Sequence, residues 1–268
     1  MKISNNDVLE NIAGLSNLTS VILSSVFIEG NTSLMNLNEF DNLSTIRRLF
    51  VMDNSILEGL NGLNNLDNLK YIIISNNNAL KNIDALHSLS PIGDRISIEN
   101  NAVLENIDGL SNLITIENFL TIYNNDALQN LNGLSNLESI GYFLKIQYND
   151  NIEDIDGLNN LTTIGEDFRL LSNNTLKNVA GLSNLSSIGG ELKIEYNNLL
   201  ENLTGLNNLT SIGDDMIIFF NDSLSNCCGI QQIIDTPDAI GGEITIVGNP
   251  FPCSSPTPII ELDCTTST

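Results

Sequence analysis

The chain has 268 residues, 41% of them hydrophobic, and a mean hydropathy of +0.06, so it can bury a substantial core and is not a disordered acidic tail. Ten Lys and Arg against 33 Asp and Glu give a formal net charge of −23, a field that repels nucleic acid and anionic membrane surfaces and attracts cations or basic partners. Nucleic-acid binding is disfavoured, and without a run of 18 apolar residues so is direct membrane insertion.

The N-terminal stretch MKISNNDVLENIAGL lacks the basic start, apolar run and small-residue cleavage site of a signal peptide. From there the chain repeats. A Leu-x-x-Leu pair begins at Leu15, Phe40, Leu63, Leu86, Leu110, Leu134, Leu158, Leu182 and Leu206, and the tenth copy keeps the frame at Ile230 and Ile233. The spacings are 25, 23 and 23 residues, then 24 five times. Within the unit Leu134 to Leu158 the apolar residues are Leu134, Leu137, Ile140, Leu144, Ile146, Ile152 and Ile155, a pattern no helix fits.

Leu144-Lys145-Ile146-Gln147 alternates like a half-buried strand, and the three-residue steps from Ile152 to Ile164 predict tight, non-helical turns. Asp108-Gly109, Asn132-Gly133 and Asp156-Gly157, with the Ile-Gly steps ending at Gly93, Gly141, Gly165, Gly189 and Gly213, supply turn signals. The expected fold is all-β: a single right-handed β-solenoid of about eleven coils of 23–25 residues, with one main parallel sheet and a C-terminal cap. Residues 1–226 form the repeat domain and 227–268 the final coil and cap.

An Asn recurs five residues after the first apolar residue of each strand: Asn6, Asn31, Asn54, Asn77, Asn101, Asn125, Asn149, Asn173, Asn197, Asn221 and Asn249. Two amide donors and a carbonyl acceptor let stacked copies satisfy one another and the backbone at a buried corner, so the column is expected to be an internal ladder. A second column, Asn17, Asn42, Asn65, Asn112, Asn136, Asn160, Asn184 and Asn208, is read the same way.

Leu144-x-Ile146-x-x-Asn149 matches the LxLxxN core of leucine-rich repeats, and SNLxSIGxxLxIxxN resembles the ligand-binding L domains of the insulin and epidermal growth factor receptors, whose relatives occur in bacterial surface proteins. The resemblance covers residues 1 to about 249. The preceding apolar residue, Ile140, is four back rather than three, and the following one, Ile152, is three beyond the Asn rather than two. The single-stranded β-helix of the L domains is therefore the closer analogue, and the resemblance implies binding.

Met1 and Ile3 fall on strand positions of a coil whose first half is absent, with no polar cap before them. The expectation is a mature fragment of a longer protein, or a solenoid open at its N-terminal end. At the other end an insertion of four residues delays the last strand, Ile244-Thr245-Ile246, and a proline-rich segment follows. Cys227, Cys228, Cys253 and Cys264 all lie in this region. Two disulfides are expected, with the adjacent cysteines bound to different partners, which leaves two connectivities open. Free buried thiols and a zinc site are the alternatives; zinc fits poorly because CxxC knuckles are missing.

His87, the only histidine, takes a turn position held elsewhere by Ser or Asn, and no phosphate loop, GxSxG, HExxH or EF-hand spacing occurs. Glu105, Asp108, Glu153, Asp154 and Asp156 recur in repeat frame as a solvated face, with opportunistic calcium binding as the alternative. Asn-x-Ser/Thr triplets such as Asn31-Thr32-Ser33 arise from the repeat itself and say nothing about glycosylation. No enzyme activity, cofactor or metal is expected.

Recognition is expected on the outward strand positions. Phe27, Phe50, Met52 and Ile73 form an apolar patch, while Lys145, Arg169 and Lys193 form a basic stripe bordered by Tyr123, Tyr148, Leu171 and Tyr196. The leading expectation is a non-catalytic binding or adhesion module, extracellular or at the cell surface, monomeric or weakly dimeric, with a protein or glycan ligand. A structural spacer is the first alternative. Ice binding is the second, from Ser20, Thr45, Thr115, Ser139, Thr163, Ser187 and Ser211 in one turn column, which Asn68 and Pro91 interrupt.

Overall fold

The structure is a computed structural model that describes residues 1–67, 69–90 and 92–264. It is an all-β solenoid. The strands are β1 (Lys2–Ser4), β2 (Ser20–Glu29), β3 (Thr45–Met52), β4 (Tyr71–Ser75), β5 (Arg95–Glu99), β6 (Thr115–Ile116), β7 (Phe119–Tyr123) and β8 (Ser139–Ile140), followed by β9 (Phe143–Gln147), β10 (Thr163–Ile164), β11 (Phe168–Leu171), β12 (Ser187–Ile188), β13 (Leu192–Glu195), β14 (Ser211–Ile212), β15 (Met216–Phe219) and β16 (Ile244–Val247). One parallel sheet takes one strand per coil in chain order, β1-β2-β3-β4-β5-β7-β9-β11-β13-β15-β16.

The main sheet is not alone. β6, β8, β10, β12 and β14 form a second parallel sheet of two-residue strands, which single-coil periodicity did not separate from the first. Its buried members, such as Ile116, Ile140 and Ile164, face the same core as Leu144 and Ile146 of the main sheet. The 25-residue first spacing is absorbed by a register shift between Val21 and Ser25, where β2 pairs with β3.

The expected non-helical turns are a correction: among the described residues eight coils carry a three-residue 3-10 helix, such as Asp156–Leu158, ending on the first residue of the Leu-x-x-Leu pair. A third Asx column caps them, with Oδ1 of Asn130, Asp154 and Asn178 accepting from the backbone N–H two residues on. The glycines of these helices serve closeness rather than left-handed dihedrals. A Cβ on Gly157 or Gly181 would lie 1.9 Å from a carbonyl oxygen of the preceding coil.

The asparagine ladder is present. Asn149 N–H donates to Asn173 Oδ1 at 3.1 Å, and its Nδ2 donates to the carbonyls of Gln147 and Ile122 at 3.1 Å each. The same pattern runs from Asn31 to Asn221, all fully buried, and ends on Asn249. Asn6 departs from the expectation: it bonds to Asn31 Oδ1 but is exposed. The second Asn column is exposed as well. It staples coils from outside, as when Asn160 Nδ2 donates to the Ser135 carbonyl at 2.6 Å.

In the tenth coil an α-helix, α1 (Cys228–Asp235), replaces the 3-10 turn and accounts for the four inserted residues. It packs on α2 (Pro256–Ile260), whose end carbonyls Ile259 and Ile260 accept from Gln231 Nε2. Disulfides Cys227–Cys253 and Cys228–Cys264 bind the cap to the last coil, and the adjacent cysteines do take different partners. At the opposite end Ile3, Leu9, Ile12 and Leu15 line an open apolar recess of about 300 Å³. Among the described residues no helix is long and apolar enough to cross a membrane.

Candidate ligand-binding face

From β4 to β15 each main-sheet strand buries two apolar side chains, such as Leu144 and Ile146, and turns the alternate positions outward, so stacking aligns outward residues of neighbouring coils into columns about 4.8 Å apart per step. Lys145, Arg169 and Lys193 occupy one such column in register, as do Phe27, Phe50 and Ile73. Phe27 and Phe50 stack with ring centroids 4.4 Å apart, and Phe50 continues to Tyr71 at 5.3 Å. These rings and Met52 are half-buried. Ser97, on an outward position of β5 in register with Ile73 and Thr121, is nonetheless buried.

The basic stripe is brought together but does not present free cations. Arg169 places Nη2 2.9 Å from Asp167 and Nε 3.2 Å from Glu191, the latter an ion pair without hydrogen-bond alignment. Lys193 pairs with Glu195 at 3.2 Å. Lys145 lies over the Tyr123 ring at 4.8 Å, and burial lowers its amine from the ordinary value, with Glu99 opposing and Arg169 adding to that shift.

A further outward column escaped the sequence reading. It runs Ser25, Arg48, Tyr71, Arg95, Phe119, Phe143 and continues through Asp167, Glu191 and Asp215, immediately before β11, β13 and β15. The signal available was the residue preceding each first buried strand position. Arg95 sits between rings, 5.8 Å from Tyr71 and 4.6 Å from Phe119, and Arg169 is 5.4 Å from Phe143.

At the end of each strand the chain turns through a left-handed residue just before the ladder Asn. Asn5, Gly30, Asp53, Asn76, Asn100 and Asn124 take this conformation in the first six coils, as residues that tolerate it. The next four coils place Tyr148, Ser172, Tyr196 and Phe220 there, with φ between 49° and 57°. Tyr148, Tyr196 and Phe220 are each more than 40% exposed, so core packing does not explain them. Tyr196 stacks on Phe220 at 5.6 Å with planes 9° apart, and Tyr148 meets Tyr123 edge-on at 5.6 Å. Leu171 lies beside this ridge, half-buried, in register with Gln147 and Glu195.

The remaining faces are less organised for recognition. His87 is exposed, its Nδ1 2.9 Å from the Asp84 carbonyl oxygen. Glu153, Asp154 and Asp156 border a polar recess with Gln129 and Asn130, where burial and the neighbouring Asp154 raise the Asp156 carboxyl above its ordinary value. Glu153 is paired with Lys177, and among the described residues no group of three His, Cys, Asp or Glu is placed to hold a metal ion. Thr115, Ser139, Thr163, Ser187 and Ser211 align on the second sheet, whereas Asn68 and Pro91 lie outside the described residues.

No protein-family model matches the chain, and comparison with curated proteins finds no match.

Proposed function

We propose that this chain is a non-catalytic binding or adhesion module of an extracellular or cell-surface protein, recognising a protein or glycan through its strand face, as a monomer or weak dimer. The observation that carries the reading is the set of three exposed aromatics, Tyr148, Tyr196 and Phe220, at a left-handed position where the other coils use Asn, Asp, Gly or Ser. Backbone strain of this kind is kept where a side chain is needed for something other than folding. Two disulfides support an oxidising compartment. The likeness of LKIQYN at 144–149 to leucine-rich repeats and receptor L domains supports ligand binding.

Immobilised peptide and glycan arrays probed with the purified chain test this. The reading expects at least one ligand whose affinity falls about tenfold in Lys145→Gln with Leu171→Ser, both on the strand face. A structural spacer returns no ligand. The aligned hydroxyls on the second sheet favour a separate reading, ice binding, but Thr162, Ser186 and Thr210 beside them turn their hydroxyls onto backbone carbonyls, leaving a single outward column. Absence of thermal hysteresis removes it.

A further inference from the structure

Of the thirteen large apolar side chains that stay exposed among the described residues, Tyr148, Tyr196 and Phe220 share the left-handed corner at the end of their strands, and Val247 stands next to it at the end of β16. Exposed apolar side chains of this kind favour contact with a partner, and a chain carrying −23 favours a partner of positive charge. Exposed Asp150 and Asp222 follow the ladder residues at this corner. The nearby cations are already engaged, Arg169 between Asp167 and Glu191, Lys193 on Glu195 and Lys145 over Tyr123. Among the described residues here, an acidic ligand would meet only cations already held by a carboxylate or an aromatic ring.

The face also shows what its rings do with positive charge. Arg95 lies against Tyr71 and Phe119, and Lys145 over Tyr123, so cations on aromatic faces are its recurring contact. We propose that the corner ridge of Tyr148, Tyr196 and Phe220 docks a basic segment of a partner protein, with arginine side chains laid on the exposed rings and the acidic rim completing the charge match. Arginine is preferred over lysine because its planar, weakly hydrated guanidinium stacks on an aromatic face. This deepens the binding-module reading and rests on it.

The test uses the whole chain and a triple variant, Tyr148→Asn, Tyr196→Asn and Phe220→Asn. Asn is the residue several other coils carry at this φ, so the backbone there accepts it, and the formal charge is unchanged at −23. Fluorescence anisotropy at fixed ionic strength is measured with labelled nine-residue oligoarginine, oligolysine and oligoglutamate, and with labelled chitohexaose and maltohexaose. We expect oligoarginine to bind more tightly than oligolysine and to lose about tenfold or more in affinity in the triple variant. An unchanged oligoarginine affinity would assign the attraction to the bulk field and overturn the proposal. So would a failure of oligoarginine to bind, or tighter binding of oligoglutamate. A hexasaccharide whose binding is lost in the triple variant, with oligoarginine indifferent to it, overturns the cationic partner while the strand-face reading stands. If the arrays return no ligand at all, it is the broader reading that fails.

Discussion

Asn149 Nδ2 stands 3.3 Å from Asn173 Oδ1, and the oxygen it donates to also receives the Asn149 backbone N–H at 3.1 Å. One acceptor on each coil therefore satisfies two donors of the coil before it. Asn149→Ala removes the side-chain donor from two carbonyls and leaves Asn125 without its acceptor. The expected loss is about 1 to 3 kcal/mol, because buried groups are left unpaired. Asn159, an exposed turn residue, should be near neutral when changed to Ala. Equal melting temperatures for the two variants would rule out the ladder as a source of stability.

Glycine spacing gives a second prediction. Gly181→Ala places a Cβ against the Ile155 carbonyl and forces neighbouring coils apart, whereas Gly14 has nothing within 4 Å of the added atom. The first should cost about 1 to 3 kcal/mol and the second almost nothing. Chemical denaturation of both variants checks this, and equal midpoints would mean that coil contact at the glycine column is not tight.

The buried Cys227–Cys253 bridge seals the core under α1. Cys227→Ala with Cys253→Ala should reduce stability by about 2 to 5 kcal/mol, read as the shift in denaturation midpoint. Hydrogen exchange should show the last coils opening first, while the ladder amides near Asn101 keep their protection. Uniform loosening along the whole solenoid would contradict a local cap.

Lys145 offers a pH dependence. Its amine is lowered in the folded state, chiefly by burial, so the unfolded chain holds the proton more strongly. Charged Lys145 therefore weighs against folding at neutral pH, and that penalty is relieved as pH rises from the folded value towards the ordinary 10.5. The wild type should gain stability relative to Lys145→Met across this alkaline window. A stability difference that stays flat or moves the other way would contradict the burial.

Much of this was legible in the sequence because a solenoid repeats its evidence. Ladder positions, buried strand residues and the capped end each follow from one pattern read many times. The limits are equally physical. A three-residue 3-10 turn and a tight irregular turn share the same apolar step, so the steps through Ile152, Ile155 and Leu158 could not distinguish them. Two-residue strands such as Thr163–Ile164 carry too little alternation to be recognised. Lys145, Arg169 and Lys193 were placed in one column, but the neutralisation of Arg169 depends on Asp167 and Glu191, which stand outside the alternating pair that defines each strand. The left-handed dihedral at Tyr148 and Tyr196 was invisible because Tyr does not announce it, whereas Asn76 and Asn100 at the same position do.

The claim that recognition takes place on the strand face and its aromatic corner is tested most directly by hydroxyl-radical footprinting of the complex with an array-derived ligand. Tyr148, Tyr196 and Phe220 report on that corner, while exposed Met35 and Ile114 report on the turn side and the approach to the second sheet. The account predicts that ligand suppresses oxidation of Tyr148, Tyr196 and Phe220 and leaves Met35 and Ile114 unchanged. Protection of Met35 or Ile114, with the three aromatics oxidised as in the free protein, would contradict it.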